Sequence, residues 1–295
     1  MLEKLTFPIV DTHLHVWDTN LIRYPWLDDN ELLNRPYLLD EYNRVCGPIA
    51  VERMVFLQCE ADFSQFMREA EWVDSLADSD SRLQGIVPWA PLEKGDAARA
   101  DLEKLVAMPR VKGIRRIIQF EPDLEFCLRP DFVRGVNALP DYNLSFDICI
   151  DYRHMVNTIQ MVRQCPNVQF IIDHIAKPDI KHQMLDPWRE HMRTFASFPN
   201  VWCKMSGLVT EADHKTWTKE QLKPYVDHVI DCFGFDRVIY GGDWPVASQA
   251  STYPRWVETL LWAVDGCSET ELKKLFHNNA INFYKLDQTA FGAHL

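Results

Sequence analysis

His13 and His15 stand one residue apart, and His174 and Asp243 each close an apolar run. Neutral imidazole is a common ligand for zinc and related divalent ions, and two imidazoles from neighbouring inward positions can share one ion. A nearby carboxylate can take a proton from water. Strand alternation over Asp11-Thr12-His13-Leu14-His15-Val16 predicts Asp11, His13 and His15 on one face, with Thr12, Leu14 and Val16 on the other. A His-x-His pair by itself more often marks satisfied or exposed histidines. The weight changes because the other two groups fall at matching places: Val168-Gln169-Phe170-Ile171-Ile172-Asp173-His174 is apolar until its last two residues. Val238-Ile239-Tyr240-Gly241-Gly242-Asp243 repeats the design, with two glycines that permit close backbone approach before the carboxylate. Asp173 reads as a cap or salt-bridge partner, and Lys177-Pro178 stiffens the loop that follows.

Other run ends offer binding groups. Ile114 and Ile118 take the apolar parity expected to face helices, so Arg115 points inward. By the same test Lys204 and Ser206 oppose Val201, Cys203 and Met205. Gln58, Trp89 and Asp147 stand near run ends, where a structural role weighs as much as a substrate-facing one. His182, His191, His214 and His228 lie in helix or loop sequence and read as surface residues.

The elements that must position these groups are eight β-rich runs at 9–16, 53–60, 83–90, 111–118, 144–150, 168–174, 201–206 and 237–243. Helical spacing follows at 63–77, 96–107, 129–139, 153–164, 187–197, 219–233 and 253–264. This alternation predicts a parallel α/β sheet with crossover helices. An open doubly wound sheet would announce a nucleotide site with glycines after its first strand, whereas histidines stand there here; a closed (β/α)8 barrel of the TIM type is preferred, with its site at the C-terminal strand ends. Residues 17–50, with Pro25, Pro36, Gly47 and Pro48, form a long excursion of the kind that walls a pocket.

With 295 residues, 47% hydrophobic, and no composition break or linker, one domain over 1–295 is the simplest account. A net charge of −12 argues against nucleic-acid or anionic-membrane partners and favours a small or neutral substrate. No signal peptide or membrane helix is legible. The eight cysteines show no Cys-x-x-Cys spacing and read as reduced thiols in a cytoplasmic protein. The excursion Tyr24-Pro25-Trp26-Leu27 walls the pocket or meets a second subunit, so a homo-oligomer stays open.

Taken together, Asp11 to Asp18, Asp173-His174-Ile175-Ala176-Lys177-Pro178 and Gly242-Asp243-Trp244-Pro245 resemble the amidohydrolase superfamily, specifically its lactonase-like branch. Gly113-Ile114-Arg115-Arg116 and Cys203-Lys204-Met205-Ser206-Gly207-Leu208 extend the likeness to sugar lactonases such as those acting on L-fucono- and L-rhamnonolactones. The resemblance implies a TIM barrel in which His13, His15 and His174 are metal-binding or catalytic histidines. It makes Asp243 both ligand and acid–base. The implied cofactor is one divalent ion, zinc before others, which some members of the branch dispense with. No lysine or glutamate suits a metal bridge on the fourth strand and the fifth lacks a histidine, against a binuclear site. The implied reaction is hydrolysis of a sugar-acid lactone: Asp243 activates water, while the histidines or the ion polarise the carbonyl. Arg115, Lys204, Ser206, Trp17 and Trp244 are the expected substrate contacts. A metal-dependent decarboxylase of the same superfamily and a non-catalytic sugar- or metal-binding protein are the competing readings.

Overall fold

The computed structural model describes residues 1–287 and places a strand in each of the eight runs, the second beginning two residues ahead of its run. They are β1 (Ile9–Leu14), β2 (Val51–Leu57), β3 (Leu83–Val87), β4 (Gly113–Ile114), β5 (Ser145–Ile148), β6 (Phe170–Ile172), β7 (Val201–Met205) and β8 (Val238–Tyr240). Adjacent strands pair in parallel within the groups β1-β2-β3 and β4-β5-β6-β7-β8. Two seams join the groups. Between β3 and β4, Ile86 pairs Val111, its N–H donating to Arg110 O at 2.7 Å and its carbonyl accepting from Lys112 N at 2.9 Å. Between β8 and β1, Leu14 pairs Trp244; Asp243 N donates to His13 O at 2.7 Å and His15 N to Trp244 O at 2.8 Å. The eight strands close as a TIM barrel, and the second seam brings Asp243 beside the histidine pair.

The major helices are α1 (Leu39–Val45), α2 (Phe66–Leu76), α3 (Arg99–Val106), α4 (Pro130–Asn137), α5 (Met155–Gln164), α6 (Trp188–Ala196), α7 (Lys219–Phe233), α8 (Tyr253–Ala263), α9 (Glu269–Lys273) and α10 (Asn279–Tyr284). Strand alternation divides the core. Ile114, Phe146, Phe170, Val201 and Val238 belong to the large cluster shared with the helices. Val10, Val55, Leu57, Val87, Ile171 and Ile239 form a second cluster with Phe283 and Tyr284 of α10, which packs against the barrel floor. Residues 17–50 return on themselves through a Trp17–Tyr37 antiparallel bridge and contain α1, whose buried Leu39 and Tyr42 lie one turn apart. Among the described residues no helix is long and apolar enough to cross a membrane. All eight cysteines are free thiols.

One expectation about β1 is corrected. Asp11 pairs Met54 and Leu14 pairs Phe56, so three steps on β1 oppose two on β2, and the extra residue resets the side-chain alternation. Asp11 is thereby turned to the helix layer. Tyr42 of α1 and Tyr253 of α8 donate their hydroxyls to Asp11 Oδ2 at 2.8 and 2.9 Å. The Gly242 N–H donates to Oδ1 at 2.7 Å. His13 and His15 keep the inward direction.

Candidate active site

The bulge end of β1 delivers two buried imidazoles. Leu57 O lies 2.8 Å from His15 Nδ1, and a carbonyl can only accept, so Nδ1 holds the proton and Nε2 the lone pair. Arg115 Nη1 lies 3.2 Å from His13 Nε2; a guanidinium can only donate, so the His13 lone pair is likewise on Nε2, with Nδ1 3.5 Å from Asp173 Oδ1. Ser206 Oγ holds His174 Nδ1 at 3.0 Å. The three Nε2 atoms converge on one carboxylate oxygen: Asp243 Oδ1 is 3.7 Å from His13, 3.6 Å from His15 and 4.0 Å from His174.

The local backbone is unusual where it places these groups. His174, Ile175, Ala176 and Lys177 have φ of 52°, 49°, 61° and 44°, a left-handed turn made without glycine. Trp188 Nε1 donates to Ile175 O at 2.8 Å and Lys177 N to His174 O at 2.8 Å, which fixes it. Asp243 also has a positive φ of 55°. The two glycines before it work as the sequence suggests. A Cβ on Gly241 would stand 2.6 Å from the His13 Cβ, and one on Gly242 2.4 Å from Asp11 Oδ2.

Burial makes each imidazole harder to charge. It lowers His15, takes His13 well below the usual histidine value, and brings His174 to about 4. Burial alone would raise Asp243, but His174, His15 and Lys177 outweigh it and hold the carboxyl below its usual value. Three neutral imidazoles thus face an ionised carboxylate. The His13 and His15 lone pairs and the carboxylate are converging acceptors, which repel one another unless a cation or a proton lies among them.

The set suits a metal ion. Around a tetrahedral zinc ion with bonds near 2.0–2.1 Å, donor atoms lie ~3.3 Å apart, close to the spacing about Asp243. The donor atoms of His13, His174 and Asp243 all lie within 4.8 Å of one another. Cys149, Asp173 and His174 meet the same limit, but Asp173 is already held by Lys204 Nζ at 2.8 Å and Arg115 Nη1 at 3.2 Å. Its carboxylate is therefore committed. Arg115 Nη1 also competes for the His13 lone pair, putting guanidinium charge where an ion would otherwise bring it.

A cleft of about 580 Å³ opens over the group, with His15, His174 and Asp243 in its lining. Of the expected substrate contacts, Trp17 and Arg115 line it. Lys204, Ser206 and Trp244 do not. The Lys204 ammonium is wholly buried between Asp147 Oδ2 at 2.9 Å and Asp173 Oδ1 at 2.8 Å, below the cleft. Ser206 serves His174, and Trp244 packs on Tyr37 and Tyr42 with ring centroids 5.5 Å away in both cases. Asp147, which also accepts from Tyr284 Oη at 2.6 Å, is structural. Trp26 of the first excursion lines the cleft, as a pocket wall should. His182 and His214 are exposed as expected, whereas His228 is buried against Trp188.

Sequence reasoning missed Glu60 and Lys177 as cleft residues. Each has a positive φ that redirects its side chain, 53° at Glu60, and positive φ at a residue other than glycine leaves no trace in sequence. The excess of charged residues at the ends of runs 53–60 and 168–174 was the available signal.

Residues 10–286 match the amidohydrolase family model. The chain is 30% identical to an L-fucono-1,5-lactonase of Burkholderia ambifaria, over 98% of this chain and 99% of that protein. It is 25% identical to an L-rhamnono-gamma-lactonase of Scheffersomyces stipitis, over 95% and 99%. A crystal structure of a Burkholderia multivorans amidohydrolase with bound zinc superposes with a TM-score of 0.85 at 27% identity, covering 95% of this chain and 100% of that one.

Proposed function

This chain belongs to the amidohydrolase family, and from that premise we propose that it opens a sugar-acid lactone to the aldonic acid. The observation that supports this reading is Asp243 Oδ1 among three neutral imidazole nitrogens on the floor of a cleft walled by Trp17 and Trp26. The names of the two lactonase relatives point the same way. We take the chain to act as one domain, in keeping with a core cluster that runs from Ile9 to Phe276.

In this mechanism Asp243, ionised and buried, takes a proton from water as the water oxygen adds to the lactone carbonyl carbon. Arg115 contributes positive charge beside the developing oxyanion. The bond from carbonyl carbon to ring oxygen then breaks, and Asp243 returns its proton to the departing alkoxide. His13, His15 and His174, with Asp243, would hold a divalent ion, which when bound supplies Lewis acidity to carbonyl and water. The Leu57 carbonyl, Ser206 and Asp173 keep the imidazoles in the orientation either version needs.

Decarboxylation asks instead for a cation free to grip a carboxylate. Arg115 is engaged by Asp173, His13 and the Gln58 carbonyl, which leaves Lys177 as the cleft cation for that role, and it is the two lactonase relatives that favour ester hydrolysis. The test is proton release on a panel of aldonolactones, using protein stripped by chelator and then resupplied with zinc or manganese. Turnover is expected, and Asp243→Asn should lower kcat by ~10²–10⁴ with the fold intact. Wild-type turnover by that variant, or carbon dioxide release from a carboxylate substrate without lactone hydrolysis, would overturn the assignment.

A further inference from the structure

Glu60 is a cleft residue that the hydrolytic scheme leaves without a task. It follows β2 in the left-handed region at φ 53°, a conformation unfavourable for a residue other than glycine. The buried Gln58 side chain clamps it from both ends: Gln58 Nε2 donates to Glu60 Oε1 at 2.7 Å, and the Glu60 N–H donates to Gln58 Oε1 at 2.5 Å. Gln58 is in turn fixed through its carbonyl, which accepts from Arg115 Nη2. The carboxylate is thus held rigidly in the cleft lining, and no salt bridge to it forms within 4.0 Å among the described residues. Oε2 carries no hydrogen bond among the described residues, the bond from Gln58 going to Oε1.

A strained, clamped acceptor with an unengaged oxygen is suited to a ligand that brings donors. We propose that Glu60 reads the ring hydroxyls of the substrate, accepting hydrogen bonds from neighbouring hydroxyls through Oε2, with the exposed Trp26, backed by the buried Trp17, supplying an apolar face for the ring carbons. This deepens the lactonase reading and rests on it. The chemistry excludes as well as selects. A fixed carboxylate attracts neutral polyols and repels substrates that carry a carboxylate at that end, so the favoured class is a neutral polyhydroxylated lactone. A site built to hydrogen-bond a substrate hydroxyl rejects an analogue lacking it, because the bound ring displaces solvent from the acceptor and leaves it unpaired.

The experiment compares kcat/KM of wild type and Glu60→Gln on L-fucono-1,5-lactone and on δ-valerolactone, which has an equal ring and no hydroxyls. The ratio of the first to the second should fall 10- to 100-fold in the variant. An unchanged ratio, whether both rates fall together or neither does, overturns the proposal. Binding of L-fucose, a neutral pyranose with no ester, is followed in parallel by quenching of tryptophan fluorescence. Weaker quenching in Glu60→Gln supports the hydroxyl contact even if neither lactone is turned over, an outcome that would sink the lactonase reading alone. Equal binding by both proteins, or no binding by wild type together with no turnover, overturns the hydroxyl contact. An unchanged near-ultraviolet circular dichroism spectrum and the conservative Glu60→Asp variant separate loss of contact from loss of fold.

Discussion

Replacing Lys204 with methionine tests whether this side chain belongs to the barrel floor or to the substrate. Its ammonium lies between Asp147 and Asp173 at 2.9 and 2.8 Å, all three side chains fully buried. Methionine fills the volume but leaves two carboxylates facing each other without their shared cation. Removing one member of a buried ion pair costs about 3–5 kcal/mol. At ~2–3 °C per kcal/mol for a chain of this size, Tm should fall by roughly 6–15 °C at pH 7. The pH dependence has a definite sign. In the wild type Asp173 is held well below the usual carboxylate value: burial works against ionisation, but Lys204, His13 and Arg115 outweigh it. Its contribution to stability is therefore full above the unfolded-state value near 3.9 and is lost as pH falls through the lowered one. In the variant, burial and the facing carboxylate raise at least one of the pair. Such a group favours the folded state below the unfolded value and penalises it as pH rises. The deficit relative to wild type should accordingly shrink between pH 7 and pH 4, followed by thermal unfolding in a buffer series. A Tm within 2 °C of wild type at pH 7, or a deficit that stays constant across the series, would refute the network as described.

Other consequences follow from the same geometry. In chelator-treated protein the acid limb of kcat/KM should fall near pH 4, where His174 gains its proton; a limb near the ordinary histidine value of 6.5 would contradict the burial-lowered imidazole. Zinc at about 100 times its dissociation constant should stabilise stripped protein by ~2.7 kcal/mol, and His174→Ala should remove most of that gain in Tm; an undiminished zinc shift would place the ion elsewhere.

Much of this arrangement was legible because strand parity and strand ends are encoded in residue types. The eight runs each hold all or most of a strand, and 219–233 coincides with α7 because Thr218 and Gln221 form a capping box at its start and Gly234 follows its end. The inward direction of Arg115 and Lys204 followed from the apolar parity of their neighbours. What failed was everything that depends on a departure from that parity or on depth along the barrel axis. The bulge that turns Asp11 outward leaves no mark in Asp11-Thr12-His13, since it arises from a mismatch with β2, a strand some 40 residues away. Lys204 and Ser206 have the predicted direction, but alternation says nothing of how far below the mouth a side chain lies. Trp244 shows the converse problem: a residue beside Asp243 at the mouth can be turned into the aromatic packing of the first excursion.

The positions hardest to read are also the ones where the fold concentrates strain. Among the described residues nine other than glycine have positive φ, and six of them, Glu60, His174, Ile175, Ala176, Lys177 and Asp243, are in or directly beside the cleft. At roughly 1–2 kcal/mol each, such conformations persist only where the surrounding structure over-determines them. Here the surroundings supply that determination: the Gln58 clamp on Glu60, the Trp188 bond to Ile175, and the seam bond from Asp243 N to His13 O. The last of these bears directly on the proposed chemistry. The same hydrogen bond that closes the barrel between β8 and β1 sets the backbone of Asp243 against that of His13, so barrel closure and the meeting of carboxylate with imidazole are one structural event. Loosening that seam would therefore separate Asp243 from the three histidines before it exposed much of the core.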